Sequence, residues 1–130
     1  MREIEFRAWL KEYQKMVQVI DLDFEYRQIG VDDFKSREYG TYLFINFRNI
    51  ELMQYTGLKD KNGVKIFEGD IVKCGKDIVC EVAWSEYMSK FILINIKDEI
   101  ECFSLTNNEV NIREVIGNIY ENKELLNESN

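Results

Sequence analysis

The sequence of 130 residues contains no histidine. The side chain that most often acts as a general base near neutral pH is therefore missing, and Ser–His and Cys–His nucleophile pairs are excluded. Glycine-rich phosphate loops of the GxGxxG or Walker type are also absent. Adjacent acidic residues such as Asp98 and Glu99 point to opposite faces of an extended strand, so they indicate solvated turns. We therefore expect a protein that is not an enzyme and has no catalytic residues. An enzyme of unrecognised type is the weakest alternative, and a deep pocket with convergent carboxylates of raised pKa would favour it.

Cysteines are few and do not form a metal-binding pattern. Cys74, Cys80 and Cys102 lack CxxC spacing, and a structural zinc site needs four Cys or His ligands. The polar run 60–63 lacks the remaining ligands of a calcium loop. We expect no metal and no cofactor, and we interpret the cysteines as small buried hydrophobic residues in a reducing compartment.

Long apolar runs are missing as well. No segment approaches the roughly 20 apolar residues that span a bilayer. The first residues also do not form a signal-peptide pattern, in which a basic segment is followed by an apolar one. With 45% apolar and 32% charged residues, the composition is typical of a folded soluble domain. We expect one cytoplasmic domain, or at most two small lobes that share a core, and no association with a membrane.

The net charge of −7 disfavours general nucleic-acid binding, because such binding needs a dense field of Lys and Arg to displace counterions. Five lysines nevertheless fall close together in the sequence: Lys59, Lys61, Lys65, Lys73 and Lys76. They form either a local basic patch or solvated strand edges, where lysine discourages edge pairing. The second interpretation is favoured.

Alternating apolar and polar residues predict a mainly β protein. Ile4, Phe6 and Ala8 share one side of a first strand, and 21–29 alternates as a second. Between them, 9–20 fits either one helical face or a hairpin with a polar turn near 11–15, and the local pattern slightly prefers the helix. The run 30–40 is predicted as a loop, and 42–47 as a strand buried on both faces.

The segment from Leu52 to Val72 predicts two strands around a tight turn. Asn62 and Gly63 favour positive φ, and Gly69 with Asp70 adds a second bend. Further short strands are predicted at 78–84, 91–96 and 115–120, and Asn122 can cap a final helical turn. Such regular spacing favours a small sandwich or barrel.

Aromatic residues are abundant, with 8 Phe, 7 Tyr and 2 Trp. Exposed aromatics on a small barrel commonly form a groove for peptides or unstacked bases. Trp9, Tyr55 and Tyr87 are the candidates for such a groove. The favoured alternative is that they pack in the core or between hairpins.

Several stretches together resemble the YopX family of small phage and prophage proteins. They are, in order, 6–9 (FRAW), 52–63 (LMQYTGLKDKNG), 68–72 (EGDIV), 115–122 (VIGNIYEN) and 124–126 (ELL). Two positions depart from the family pattern. Leu10 stands where an aspartate is usual, and Lys123 stands where a proline is usual.

The resemblance implies a small SH3-type β-barrel with an N-terminal β-hairpin extension and a short C-terminal helical turn. It therefore overrides the helical interpretation of 9–20. It divides the chain into a hairpin and strand region at 1–50, a barrel region at 51–126 and a tail at 127–130. The family has no established activity, so it supplies no catalytic residues.

We expect a non-enzymatic phage or prophage protein of a bacterial host cytoplasm that binds a protein partner or associates with itself. The candidate partner-binding residues are Trp9, Gln54, Tyr55, Lys59 and Lys61. The alternative is a barrel that binds single-stranded nucleic acid through Lys59, Lys61, Lys65 and aromatic residues such as Tyr55.

Overall fold

Short antiparallel strands account for most of the chain in the computed structural model, which describes residues 1–106 and 112–127. The prediction of a mainly β protein with one short C-terminal helix is confirmed. The elements are β1 (Phe6–Leu10), β2 (Lys15–Gln18), β3 (Asp21–Asp23), β4 (Gln28–Asp32), β5 (Tyr42–Asn46), a 3-10 turn (Phe47–Asn49), β6 (Ile50–Lys59), β7 (Lys65–Phe67), β8 (Asp70–Cys74), β9 (Val79–Ser85), β10 (Lys90–Asn95), β11 (Asp98–Ser104), β12 (Arg113–Asn118) and α1 (Lys123–Asn127).

The chain forms two units. The N-terminal unit is Glu5–Gln54, and the C-terminal unit is Met1–Ile4 together with Tyr55–Asn130. The division falls within β6, whereas the predicted boundary followed residue 50. Of the predicted tail 127–130, only Asn127 lies within the described residues, and it ends α1.

The first hairpin settles the two interpretations of 9–20. β1 pairs antiparallel with β2 and, on its other side, with the first half of β6, so the hairpin is confirmed and the helix was wrong. Gln14 takes a φ of 51° in the turn, and its Nε2 donates to the Lys11 carbonyl oxygen at 2.8 Å. Ala8 and Leu10 point into the core of this unit. Apolar residues spaced for a helix face are here divided between two strands.

The predicted strand at 21–29 is wrong, because two strands and a turn replace it. Asp23 Oδ1 accepts from the N–H groups of Glu25 and Tyr26 at 2.9 and 3.0 Å, and Arg27 takes a φ of 53°. This Asx turn separates β3 from β4. Phe24 consequently lies at an exposed turn and not on a buried strand face.

The region 30–47 corrects two further expectations. The predicted loop begins later, since Gly30–Asp32 belongs to β4. β5 is a strand as predicted, but it is not buried on both faces: Leu43 and Ile45 pack against the core, while Tyr42 and Phe44 are 52% and 56% exposed. The reason is that β5 is an edge strand of a three-stranded sheet with one covered face.

The C-terminal unit contains an antiparallel five-stranded sheet in the order β11-β10-β9-β8-β12. This order is compatible with the SH3-type barrel that the resemblance implies. Its core consists of Ile66, Val72, Cys80, Val82 and Leu93. Cys80 is buried as expected and Cys74 is half-buried. Cys102 is exposed, because the next residue, Phe103, packs against the core and Cys102 points to the opposite face of β11.

The predicted turn at Asn62 and Gly63 is confirmed between β6 and β7. Gly63 has a φ of 81°, and the carboxylate of Asp60 organises the loop. Its Oδ1 accepts from the N–H groups of Asn62 and Val64 at 2.8 and 2.9 Å, and its Oδ2 accepts from Val115 N–H on β12 at 2.9 Å. The second bend is also confirmed, with a φ of 87° at Gly69.

Two asparagines shape the end of the chain. Asn118 Oδ1 accepts from the N–H groups of Tyr120 and Glu121 at 3.0 and 2.8 Å. Asn122 Oδ1 accepts from Asn118 N–H at 3.0 Å. The predicted helix follows Asn122. The side-chain oxygen of this asparagine, however, accepts from the turn before the helix.

Candidate functional site

The five predicted partner-binding residues fall in different environments. Trp9 and Tyr55 are only 8% and 4% exposed, which agrees with the alternative that they pack in the core. The third aromatic candidate, Tyr87, is 97% exposed and does not agree with it. Gln54 is half-buried, whereas Lys59 and Lys61 are exposed. Trp9 and Gln54 belong to the N-terminal unit, and the other three belong to the C-terminal unit.

The lysines of the nucleic-acid alternative are partly neutralised. Lys65 Nζ lies 2.9 Å from Glu3 Oε1 and 5.4 Å from the ring centroid of Tyr55. Lys61 Nζ lies 3.7 Å from Glu114 Oε2. The buried Tyr55 ring packs on Phe67, with centroids 5.5 Å apart, so it is not presented for base stacking.

An aromatic surface that the sequence did not single out lies on β5. Tyr42 and Phe44 project from the uncovered face of the three-stranded sheet. The ring of Phe44 covers Gly30 on β4: a Cβ built at Gly30 would lie 3.3 Å from Phe44 Cε1. The sequence signal is the aromatic and branched run 42–46, which carries no charge, but such a run also predicts a strand buried on both faces.

β5 differs in charge from the other edge strands of the described residues. β2, β3, β7, β11 and β12 each contain at least one Lys, Arg, Asp or Glu. β5 has the sequence YLFIN and contains none. Charged residues, proline and bulges are the usual devices that prevent an edge from pairing with another chain. β5 carries no charge or proline, and its register with β4 is continuous.

The backbone of β5 has a defined open side. Asp33 N–H donates to the Thr41 oxygen at 3.1 Å, and Phe47 N–H donates to the Arg27 oxygen at 2.9 Å. Because antiparallel pairing alternates, the odd-numbered residues of β5 direct their backbone groups to β4. Tyr42, Phe44 and Asn46 therefore direct theirs to the open edge. This edge can accept another strand.

The family model described as YopX protein matches residues 5–127. The chain belongs to the YopX family. A crystal structure of protein EF1440 from Enterococcus faecalis is 30% identical, with a TM-score of 0.64 over 97% of this chain and 99% of that one. The crystal structure of protein yopX from Bacillus subtilis is 24% identical, with a TM-score of 0.58 over 94% and 95% of the two chains. No curated protein matches the sequence.

The YopX motifs of this chain mainly build turns. Asp60 and Gly63 form the β6–β7 turn, Gly69 forms the next bend, and Asn118 with Asn122 forms the C-terminal one. β5 lies outside all of the stretches that carry the resemblance. The YopX signature therefore describes the fold and not the β5 edge.

Two acidic side chains of the C-terminal unit share a cleft of about 550 Å³, lined by Glu81, Ile94, Ile96, Glu99 and Leu126. Burial raises the pKa of the half-buried Glu81, and the nearby charge of Glu99 raises it further. Such a carboxyl group can hold a proton that a solvated glutamate would release.

Among the described residues, no group of three Cys, Asp or Glu is placed to hold a metal ion. No helix of residues 1–106 and 112–127 is long and apolar enough to cross a membrane.

We expect Glu81→Gln to raise the melting temperature by about 2–3 °C near pH 7. An ionised Glu81 is penalised in the folded state, so its raised pKa lowers stability as pH rises above the unfolded value of about 4.3. The gain should shrink as pH falls and disappear below about pH 3, where glutamate is protonated in both states. Calorimetry of both proteins across this range measures it, with the exposed Glu86→Gln as the control. An equal gain at both pH values would contradict the assignment.

Proposed function

We propose that this YopX protein is a non-enzymatic β module that associates with a second copy of itself through the open edge of β5. The observation that carries the proposal is the uncharged, exposed edge strand itself. Its exposed backbone groups offer hydrogen bonds, and its side chains offer apolar contacts on both faces.

β5 is complementary to its own copy in one antiparallel register. With Phe44 opposite Phe44 of the second copy, Tyr42 faces Asn46, and the outward backbone groups of all three residues meet in about six hydrogen bonds. Leu43 faces Ile45 on the covered side, and the two Phe44 rings meet on the uncovered side. The pairing has twofold symmetry and closes, so it yields a dimer and not a filament.

Charge opposes this association at long range. Each copy carries a net charge of −7, but the paired stretch contributes none of it. Added salt screens the repulsion between the copies while the apolar and backbone contacts remain. The dimer should therefore become tighter at higher salt, the opposite of what nucleic-acid binding would show.

Phe44→Lys tests the proposal, because it places a charge at the centre of the paired edge. We expect the wild type to dimerise with a dissociation constant on the order of 10 μM. The substitution should raise the dissociation constant of the dimer at least about tenfold. Sedimentation velocity over a concentration series measures both. Tyr87→Lys, a matched substitution at an almost fully exposed turn of the C-terminal unit, should leave the dimer unchanged.

Phe44→Pro gives a second test that does not depend on charge. Proline removes the outward N–H of residue 44 but no hydrogen bond to β4, so the fold should persist while the dimer is lost. A wild type that stays monomeric at about 500 μM, or a dimer that survives both substitutions, would overturn the proposal.

The cellular setting forms part of the same proposal. Membership of the YopX family, together with the similarity to two bacterial proteins, supports a phage or prophage protein in the cytoplasm of a bacterial host. Fractionation of a lysogenic host should place the protein with the soluble cytoplasmic proteins.

A further inference from the structure

Three lysines converge on a recess of about 290 Å³ in the C-terminal unit. It is lined by Lys61, Lys73, Gly75, Lys76, Ile112 and Glu114. Three ammonium groups and one carboxylate leave two positive charges uncompensated, in a chain whose net charge is −7. The recess is therefore a local exception to the acidic character of the protein.

Backbone structure holds the recess in place. Lys73 on β8 and Glu114 on β12 are opposite each other in the sheet. Lys61 N–H donates to the Arg113 oxygen at 3.0 Å, which joins the β6–β7 turn to β12. Gly75 takes a φ of 100° at the start of the turn that carries Lys76. The three lysines thus come from three separate segments that the fold brings together.

Glu114 is the internal counter-ion of this group. Its Oε2 lies 3.7 Å from Lys61 Nζ, and it faces Lys73 across the strands. One carboxylate cannot neutralise three ammonium groups, and all three lysines are exposed to an incoming anion. A multiply charged anion would satisfy them better than a single carboxylate does.

We propose that this recess binds the phosphate group of a small phosphorylated molecule. A phosphate monoester carries nearly two negative charges and three acceptor oxygens, which match the uncompensated charge of the recess. The exposed Ile112 side chain supplies an apolar wall for the part of the molecule that carries the phosphate. The small volume favours such a molecule over a nucleic-acid strand. The pairing of the nearby Lys65 with Glu3 also disfavours a longer basic surface that a strand would follow.

Titration with inorganic phosphate, ribose 5-phosphate and adenosine 5′-monophosphate, followed by ³¹P NMR and calorimetry at low salt, tests the inference. Lys73→Gln and Lys76→Gln should each weaken binding at least about fivefold. Glu114→Gln should strengthen phosphate binding about two- to threefold, because it frees Lys61 from its ion pair and removes the negative charge opposite Lys73. Lys59→Gln removes the same charge outside the recess and should have no such effect.

The phosphate probes also identify the source of the phosphate. Equal affinity for all three assigns the site to the phosphate group alone, and tighter binding of the nucleotide assigns it to a nucleotide that uses the Ile112 wall. Either outcome supports the recess. Equal losses in Lys59→Gln and Lys73→Gln, no gain in Glu114→Gln, or tighter binding of a single-stranded oligonucleotide than of the monophosphate would overturn it. Phe44→Lys should leave phosphate binding unchanged, so this test is independent of dimerisation.

Discussion

Replacing Asp60 with alanine is expected to lower the free energy of unfolding by about 3 kcal/mol. Asp60 is 3% exposed, and its carboxylate accepts three backbone N–H groups, from Asn62, Val64 and Val115. Alanine leaves all three donors without their partner at a partly buried position. It also removes one of the hydrogen bonds that join the β6–β7 turn to β12, while the bond from Lys61 N–H to the Arg113 oxygen remains. Urea denaturation followed by circular dichroism measures the loss.

The effect should depend on pH with a definite sign. Burial by itself would raise the pKa of Asp60, but the N–H donors of Val115, Val64 and Asn62 outweigh it and hold the pKa below its ordinary value. A carboxyl group whose pKa is lowered by folding stabilises the folded state fully at pH values above its unfolded-state pKa of about 3.9. This stabilisation is lost as the pH falls through the folded-state pKa. The difference between wild type and Asp60→Ala should therefore be constant near pH 7 and shrink below about pH 4.

Asp98→Ala provides the matched control. Asp98 also accepts a backbone N–H at a hairpin, from Ile100 at 3.1 Å, but this bond is exposed. Its loss should cost less than about 1 kcal/mol. Similar losses at Asp60 and Asp98, or a loss at Asp60 that persists unchanged at acid pH, would show that the buried carboxylate does not organise this turn.

The turns of this protein could be predicted because their signals are local. Asn62 and Gly63 favour positive φ whatever surrounds them, and the turn forms where they stand. The Asx turn at Asp23 also follows from a local rule, but the alternating apolar and polar residues of 21–29 predict a continuous strand there instead. A regular apolar pattern was given more weight there than a single turn-forming side chain.

The hairpin at 9–20 shows where periodicity alone fails. Its apolar residues fit a helix face and a pair of strands about equally well. The deciding factor is pairing of β1 with β6, which joins residues far apart in the sequence. Only the family resemblance carried that long-range information before the structure was known.

The candidate sites depend on long-range pairing even more strongly. The run 42–47 is predicted to be a strand, but its open backbone edge follows from the order of the sheet, and the exposure of Tyr42 and Phe44 follows from the uncovered face of that sheet. Lys61, Lys73 and Lys76 stood out as close in sequence, whereas the role of Glu114 arises only because β8 pairs with β12. Residue types suggested the chemistry of these surfaces, and sheet order determined which side chains face one another.

Gly117→Ala is expected to destabilise the protein by about 2 kcal/mol, although its backbone conformation is an ordinary one. A Cβ at this position would lie 2.6 Å from Oδ1, 2.7 Å from Cγ and 3.0 Å from Cβ of Asn122. Asn122 cannot yield freely, because its Oδ1 accepts from Asn118 N–H. The substitution should therefore displace the Asn122 side chain and break its hydrogen bond to Asn118 N–H before α1. Thermal and urea unfolding measure the loss.

A double-mutant cycle with Asn122→Gly separates the clash from other effects of the substitution. All three close atoms belong to the Asn122 side chain, so removing it leaves room for the new methyl group. In that background Gly117→Ala should be neutral or stabilise by up to about 0.5 kcal/mol, because alanine restricts the unfolded chain. If the loss of about 2 kcal/mol persists instead, steric exclusion by Asn122 is not why glycine occupies position 117.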